Sequence, residues 1–240
     1  MTDNEAPSTS PGLPPLPPFD VEDAPPELQE ALRRMSQRGP VVDMGTGAVV
    51  AEAGRLVTDR AVPDECVARV QRIYDGHAGL YVPSVVAAAA ALLDAYLVTA
   101  EQRGLDRADA DYDGWLAMSA AETVSRQYGR PKVERTAADL SRLLSELRTA
   151  LTAEGLTVVP TPVRMGIGVD PLPEGPRWGS RGGLAVALYS NTGWELMVNS
   201  ERATGFTIHA PATAAGAAEV AALVHGLLRG DVPDPFRRPR

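Results

Sequence analysis

The stretch Leu184–Arg229 decides the fold of this chain, and it reads LAVALYSNTGWELMVNSERATGFTIHAPATAAGAAEVAALVHGLLR. Apolar side chains alternate with period two through Leu184–Tyr189, Trp194–Val198 and Gly205–His209, which predicts three antiparallel strands. The period then changes to 3.6, and Pro211 opens a predicted helix that runs to the end of the stretch. We therefore expect a curved antiparallel sheet backed by a helix.

A second one-sided helix precedes these strands. Thr136 is its predicted N-cap and Asp139 occupies the capping-box position, where side-chain and backbone groups satisfy each other. The apolar stripe that follows is formed by Leu140, Leu143, Leu144, Leu147 and Leu151. A fourth strand is predicted over Leu156–Val163, at a sheet edge, because the two prolines within it cannot donate to a ladder.

Together these elements predict an α+β fold, in which residues 136–230 form a domain of a helix, four strands and a helix. Both helices are expected to cover one inner face of the antiparallel meander. The predicted inner-face residues are Trp194, Leu196, Val198, Phe206 and Ile208. Residues 27–130 are predicted to form a mostly helical layer ahead of this domain. Its alanine-rich helix, Val85–Arg103, suits close helix–helix contact, so we expect its exposed parts to support a homodimer.

The two ends of the chain have different compositions from the rest. Residues 1–26 contain eight prolines with few apolar residues between them, which predicts a disordered tail with polyproline II character. Residues 231–240 carry several arginines and are predicted to be a mobile basic tail.

The composition also limits the classes of function. A formal net charge of −8 and a pI near 5.0 argue against a protein that coats nucleic acid or membranes by bulk electrostatics. Cys66 is the only cysteine, which excludes an intrachain disulfide, and the three histidines lack metal-ligand spacing. The chain start lacks signal-peptide features, and Asp94 interrupts the longest apolar run. We expect a cytoplasmic protein without a catalytic residue, a cofactor, a metal or a membrane partner.

A glycine- and arginine-rich segment, 164–183, is the first candidate site. It is predicted to be a long loop, and loops of this length inside compact domains are often functional. Its chemistry suits the binding of an anion, a base or a partner's backbone, because arginines flank a tryptophan. The candidate partner-binding residues are Arg164, Arg177, Trp178 and Arg181. The alternative is a hairpin loop whose tryptophan folds back on the sheet edge.

A second candidate lies in residues 121–140, which can be aligned with a helix-turn-helix template. Gly129 falls at the turn of this template, although Pro131 stiffens the connection and two arginines occupy positions that should be apolar. The residues that would contact nucleic acid are Arg126, Arg130, Lys132 and Arg135. Two ordinary helices joined by a basic loop are the alternative, which we favour.

The third candidate is the turn that contains Asp43, Gly45 and Gly47, directly after an apolar strand. This Asp-x-Gly-x-Gly pattern resembles the first motif of S-adenosylmethionine-dependent methyltransferases and the phosphate-binding turn of actin-like and sugar-kinase ATPases. The resemblance implies that the turn binds an adenine cofactor. The later motifs of these families cannot be placed, and a simple strand–turn–strand hairpin is the alternative.

Two further resemblances concern the fold. A strand pair with Gly193-Trp194 at its turn, followed by a helix opened by Pro211, resembles uncharacterised actinobacterial domains, over less than a third of the chain. The order helix, meander, helix resembles the secretion-chaperone-like fold, whose members bind protein segments. We therefore expect a non-enzymatic interaction module that holds a protein partner, or a second copy of itself, through the sheet face and the 164–183 segment. A DNA-associated regulator and an adenine-cofactor enzyme are the alternatives.

Overall fold

The computed structural model describes most of the chain between Ala24 and Phe236. The described residues are 24–42, 49–52, 55–56, 61–129, 135–176, 178, 183–198 and 205–236. The predicted proline-rich tail therefore lies outside the described residues except for its last three positions.

Among the described residues, the first half of the chain is mostly helical with four short strands, and the second half places five strands between two long helices. The helices are α1 (Pro26–Ser36), α2 (Asp64–Asp75), α3 (Pro83–Gln102), α4 (Arg107–Ala110), α5 (Trp115–Gly129), α6 (Ala137–Ala153) and α7 (Ala214–Arg229). The strands are β1 (Val41–Val42), β2 (Val49–Glu52), β3 (Arg55–Leu56), β4 (Leu80–Tyr81), β5 (Val158–Val159), β6 (Gly166–Val169), β7 (Leu184–Tyr189), β8 (Gly193–Val198) and β9 (Gly205–His209). The α+β class predicted from the sequence is confirmed.

The main sheet has six strands in the order β4-β9-β8-β7-β6-β5, and the neighbours from β5 to β9 pair antiparallel. The edge strand β4 comes from the helical first half and pairs parallel with β9, with Leu80 opposite Ile208 and Tyr81 opposite His209. The Val82 N–H donates to the His209 carbonyl at 3.2 Å, directly before α3 begins. The sheet is therefore mixed, whereas the sequence predicted a purely antiparallel meander.

Three predicted elements differ from the structure. Pro211 does not open α7, because Thr213 is the N-cap and accepts from the Gly216 N–H at 3.1 Å. The predicted strand Leu156–Val163 is reduced to β5, since prolines on either side of Thr161 end the ladder. The segment predicted as a loop, 164–183, contains β6.

Two glycines explain why β6 was missed. Gly166 pairs with Ala187 and Gly168 pairs with Ala185 in the ladder between β6 and β7. A glycine in a strand is commonly taken as a sign of a turn, but here both glycines face alanines that are fully buried. Small side chains on both strands thus form one closely packed sheet face.

The other sheet face carries the main core under α6 and α7. The capping box of Thr136 and Asp139 is present at the start of α6, and the side chains of Leu143, Leu147 and Leu151 are buried. On the sheet, three of the five predicted inner-face residues are fully buried: Trp194, Leu196 and Ile208. The other two, Val198 and Phe206, are half-buried.

The helical first half contacts the sheet near its β4 edge. α5 packs against α2 and α3, and it contacts β9. Helix α3 is long and apolar enough to cross a bilayer by length and composition, but more than half of it is buried inside the fold, as in the core helix of a globular protein. Of its alanine run, Ala87 is the exposed member, so α3 offers little of the free surface on which a homodimer was predicted.

Candidate functional site

The predicted partner-binding loop is only partly exposed. The side chain of Arg164 lies on the surface, whereas Trp178 is buried, with 3% of its surface exposed. The Trp178 ring packs edge-to-face on Phe236, with 5.7 Å between ring centroids. Arg177 and Arg181 lie outside the described residues. Trp178 therefore packs on another part of the same chain, as in the alternative prediction in which the tryptophan folds back on the sheet edge.

The Asp43-Gly45-Gly47 turn lies outside the described residues, but its flanks are described. β1 and β2 on either side of it pair antiparallel, with Val41 opposite Ala51. In the nucleotide-binding families this motif connects a strand to a helix, so that the helix N-terminus faces the phosphate or the cofactor. The flanking strands therefore have the geometry of a hairpin.

The residues of the helix-turn-helix alternative are divided between different surroundings. Arg126 pairs with Glu122 on the surface of α5, with 2.7 Å between Nη2 and Oε1. Arg135 is half-buried, its Nη1 has no hydrogen-bond partner among the described residues, and burial lowers the pKa of its guanidinium. Arg130 and Lys132 lie outside the described residues. The main packing partners of the two template helices also differ, because α5 packs on α2 and α3 while α6 packs on α7.

A stack of three rings joins the helical first half to the sheet. Tyr81 lies between Tyr74 and His209, with centroid distances of 3.8 and 4.4 Å. The His209 Nδ1 lies 3.2 Å from the Ser125 carbonyl, which can only accept, so Nδ1 carries the proton. Burial lowers the pKa of His209 and raises the pKa of Tyr74 to about 12. All three rings are therefore neutral at pH 7, and the contacts between them hold α2 and α5 against the β4 edge.

The described residues contain no group of three or more histidine, cysteine, aspartate or glutamate side chains that could hold a metal ion. Cys66 is buried in α2. His225 pairs with Glu154 on the surface, with 2.8 Å between Nδ1 and Oε2. These side chains contact protein groups and line neither of the two clefts described below.

An apolar surface with two aromatic rings lies on the segment from α4 to α5. We call it the aromatic patch, and its members are Leu105, Tyr112, Trp115 and Met118. Tyr112 and Trp115 are 62% and 60% exposed, and their rings pack edge-to-face with centroids 6.3 Å apart. Exposed apolar side chains that lie close together, as these two rings do, often mark an interaction site.

The backbone under the aromatic patch is strained. Tyr112, Asp113 and Gly114 have consecutive positive φ angles of 43°, 57° and 92°. A non-glycine residue in the left-handed region costs about 1–2 kcal/mol, and two such residues occur here in succession. This turn aims the Tyr112 ring outward immediately before α5 begins.

Two buried carboxylates fix the strained turn to the helices behind it. Asp111, directly before the turn, is buried and forms an ion pair with Arg69 of α2. The buried carboxylate of Asp94 in α3 accepts from Arg107 of α4, with 2.9 Å between Nη2 and Oδ1. Each carboxylate is thus paired with an arginine from another helix, so the turn is connected to α2 and α4 is connected to α3.

A cleft of about 180 Å³ opens beside Tyr112. The residues that line it come from the segment after α1, the end of α3 and the start of α5, and they include the apolar Tyr96, Ala100 and Leu116 and the two arginines Arg38 and Arg103. Three exposed carboxylates lie in the same segment as the patch, at Asp106, Asp109 and Asp113. The arrangement is a cleft lined by apolar side chains and two arginines, with an aromatic pair and acidic side chains beside it.

A second, more open cleft of about 480 Å³ lies at the end of α7. Its lining residues are Leu172, Pro173, Glu174, Gly175, Arg229 and Asp231. Arg229 and Asp231 form an ion pair with 3.0 Å between Nε and Oδ2. The charges of Arg229 and Asp231 in this cleft thus partly neutralise each other.

The sequence analysis missed the aromatic patch although the sequence contains a signal for it. The buried seam of α5 runs through Leu116, Ala120 and Val124 at steps of four. At 3.6 residues per turn, Trp115 and Met118 fall on the side opposite to this seam. Large apolar side chains on the polar side of a helix are the signal.

Comparison of this chain with protein-family models, with curated proteins and with solved structures finds no match.

Proposed function

We propose that this protein is a cytosolic, non-enzymatic interaction module that binds a protein partner through the aromatic patch. The observation that carries the proposal is the outward-facing pair of Tyr112 and Trp115 on a strained turn. Burial of a large apolar side chain contributes about 1.5–3 kcal/mol. A partner that covers both rings therefore gains a large part of its affinity from them, and aromatic side chains of this kind dominate interface energetics.

The ion pairs behind the patch support the proposal. Ordering a side chain at an interface costs about 0.5–1.5 kcal/mol, and a surface that is already ordered avoids this cost. The ion pair of Asp111 with Arg69 fixes the residue before the turn, and Arg107 with Asp94 fixes α4. The patch thus has the preorganised geometry expected of a binding surface.

The surroundings of the patch define the chemistry of the partner. The cleft beside Tyr112 has room for an aliphatic anchor residue such as leucine or methionine. Arg38 and Arg103 line the cleft itself, but the exposed carboxylates of Asp106, Asp109 and Asp113 on the adjoining segment favour lysine or arginine on the partner. We therefore propose a basic, amphipathic protein segment as the partner.

A selection from a library of helical peptides tests this proposal. Binders of the full-length protein are expected to combine an aliphatic anchor with basic residues and to bind more weakly at high salt. Trp115→Ala is expected to weaken their binding by roughly 30-fold, as loss of an interface hot spot of about 2 kcal/mol does. Leu28→Ala on α1 is the matched control, because Leu28 is also an exposed apolar residue.

The full-length protein is then used to capture its partner from the native cytosol, and the selected peptide is added as a competitor. A partner that is displaced by the peptide, lost with Trp115→Ala and retained with Leu28→Ala supports the proposal. If Trp115→Ala and Tyr112→Ala each bind within twofold of the unaltered protein, the proposal is wrong.

A further inference from the structure

The chain turns back on itself after α7. Gly230 has a φ of 85°, and the Asp231 and Val232 N–H groups both donate to the Gly226 carbonyl. Val232 then packs directly over Gly226, where an added Cβ would lie 2.9 Å from Val232 Cγ2. The C-terminal segment, residues 231–236, is thereby directed along the helix towards the sheet.

The C-terminal segment ends at Phe236, whose ring packs against two other aromatic rings, those of Trp178 and Phe206, which we call the aromatic seat. The Phe236 ring packs edge-to-face on Phe206 of β9, with centroids 4.8 Å apart, and on Trp178 at 5.7 Å. The Phe236 N–H donates to Asp234 Oδ1 at 2.8 Å, which forms a local turn that presents the ring. The seat is thus occupied by one aromatic side chain from a short segment at the end of the chain.

The seat contains a hydrogen-bond donor that the C-terminal segment does not use. Trp178 is almost fully buried, and its Nε1 has no hydrogen-bond partner among the described residues. Trp194 provides the comparison, because its equally buried Nε1 donates to the Pro211 carbonyl at 3.2 Å. A buried indole N–H normally finds an acceptor. Phe236 therefore packs against both rings of the seat, but neither it nor any other described residue accepts a hydrogen bond from Trp178 Nε1.

We propose that Trp178 and Phe206 form a peptide-docking seat, which Phe236 occupies in cis and which accepts an extended protein segment in trans. The docking segment carries an aromatic side chain that replaces Phe236, and a backbone carbonyl that accepts from Trp178 Nε1. The C-terminal segment acts as a tethered competitor, whose effective concentration is in the millimolar range for so short a connection. This seat shares no residue with the aromatic patch.

Binding of a synthetic peptide with the sequence Asp231 to Arg240 tests the proposal. The full-length Phe236→Ala variant, in which the seat is vacated, is expected to bind the peptide at least about tenfold more tightly than the unaltered protein, because the tethered competitor is gone. A peptide with alanine in place of its phenylalanine is expected not to bind. Asp234→Ala, which loosens the cis contact without removing the ring, is expected to give an intermediate affinity.

The indole donor has its own readout. In Phe236→Ala, the Trp178 indole N–H resonance is expected to shift when the peptide binds, because the phenylalanine ring of the peptide packs edge-to-face on Trp178, while that of Trp194 stays in place. Near-ultraviolet circular dichroism and thermal unfolding verify that the variants remain folded. The proposal is overturned if both Phe236→Ala and Asp234→Ala bind the peptide no more tightly than the unaltered protein does. It is also overturned if the alanine-containing peptide binds equally well.

Discussion

Replacement of Gly129 by alanine tests whether the ring stack is a fixed part of the fold. A Cβ at Gly129 would lie 2.6 Å from His209 Cε1 and 2.7 Å from its Nδ1, so the imidazole would have to move. Movement would break the bond from His209 Nδ1 to the Ser125 carbonyl and disturb the stacking on Tyr81. The close approach of α5 to β9 therefore requires a glycine at this position.

The effect of Gly129→Ala on the free energy of unfolding is the balance of two opposing contributions. Overpacking of a well-packed site costs about 1–3 kcal/mol, and loss of the hydrogen bond adds about 0.5–1.5 kcal/mol. Alanine regains at most about 1 kcal/mol of helix propensity at this helix end. We expect Gly129→Ala to lower the free energy of unfolding by about 1–3 kcal/mol.

Urea unfolding followed by circular dichroism measures this change. Gly39→Ala is the matched control, because no heavy atom lies within 4 Å of the added Cβ, and its effect should stay within about 0.5 kcal/mol. In a double-mutant cycle, His209→Ala should remove most of the penalty of Gly129→Ala. A Gly129→Ala protein as stable as the unaltered one would refute this reasoning.

Three further predictions concern the same scaffold. Because burial lowers the folded-state pKa of His209, its contribution to stability is present above pH 6.5 or so and is lost as the pH falls further. Urea unfolding at pH 7.5 and 5.5 should show this loss, and His209→Gln should reduce it. Thr136→Ala removes the capping box of α6 and should cost about 1 kcal/mol in the same assay, whereas an unchanged midpoint would contradict the cap. Trp194→Phe leaves the Pro211 carbonyl without its donor and should cost about 1–3 kcal/mol, and a smaller loss would show that water replaces the indole.

Periodicity was sufficient for the elements that bury one face. The bounds of β7 and β9 coincide with the predicted runs. In β7, Leu184, Val186 and Leu188 belong to the main core, while the small Ala185 and Ala187 alternate with them. That alternation of large and small residues is written in the sequence, so it could be predicted.

Long-range pairing could not be predicted in the same way. β4 has only two residues, and its register with β9 depends on contacts between positions about 130 apart in the chain, such as Leu80 and Ile208. The same holds for the ring stack, because Tyr74, Tyr81 and His209 show no common spacing. Their association depends on the packing of α2 and α5 against the sheet edge, which no local pattern specifies.

The aromatic patch shows why exposure is harder to predict than secondary structure. The start of α5 is predictable, but whether Tyr112 is buried or exposed depends on the left-handed turn from Tyr112 to Gly114. The ion pair between the buried Asp111 and Arg69 connects this turn to α2. A buried ion pair is weak evidence for stability, since apolar residues of similar volume often serve as well or better. Strain and desolvation are thus both tolerated at one short segment that exposes two aromatic rings, and this coincidence is what a preorganised binding surface requires.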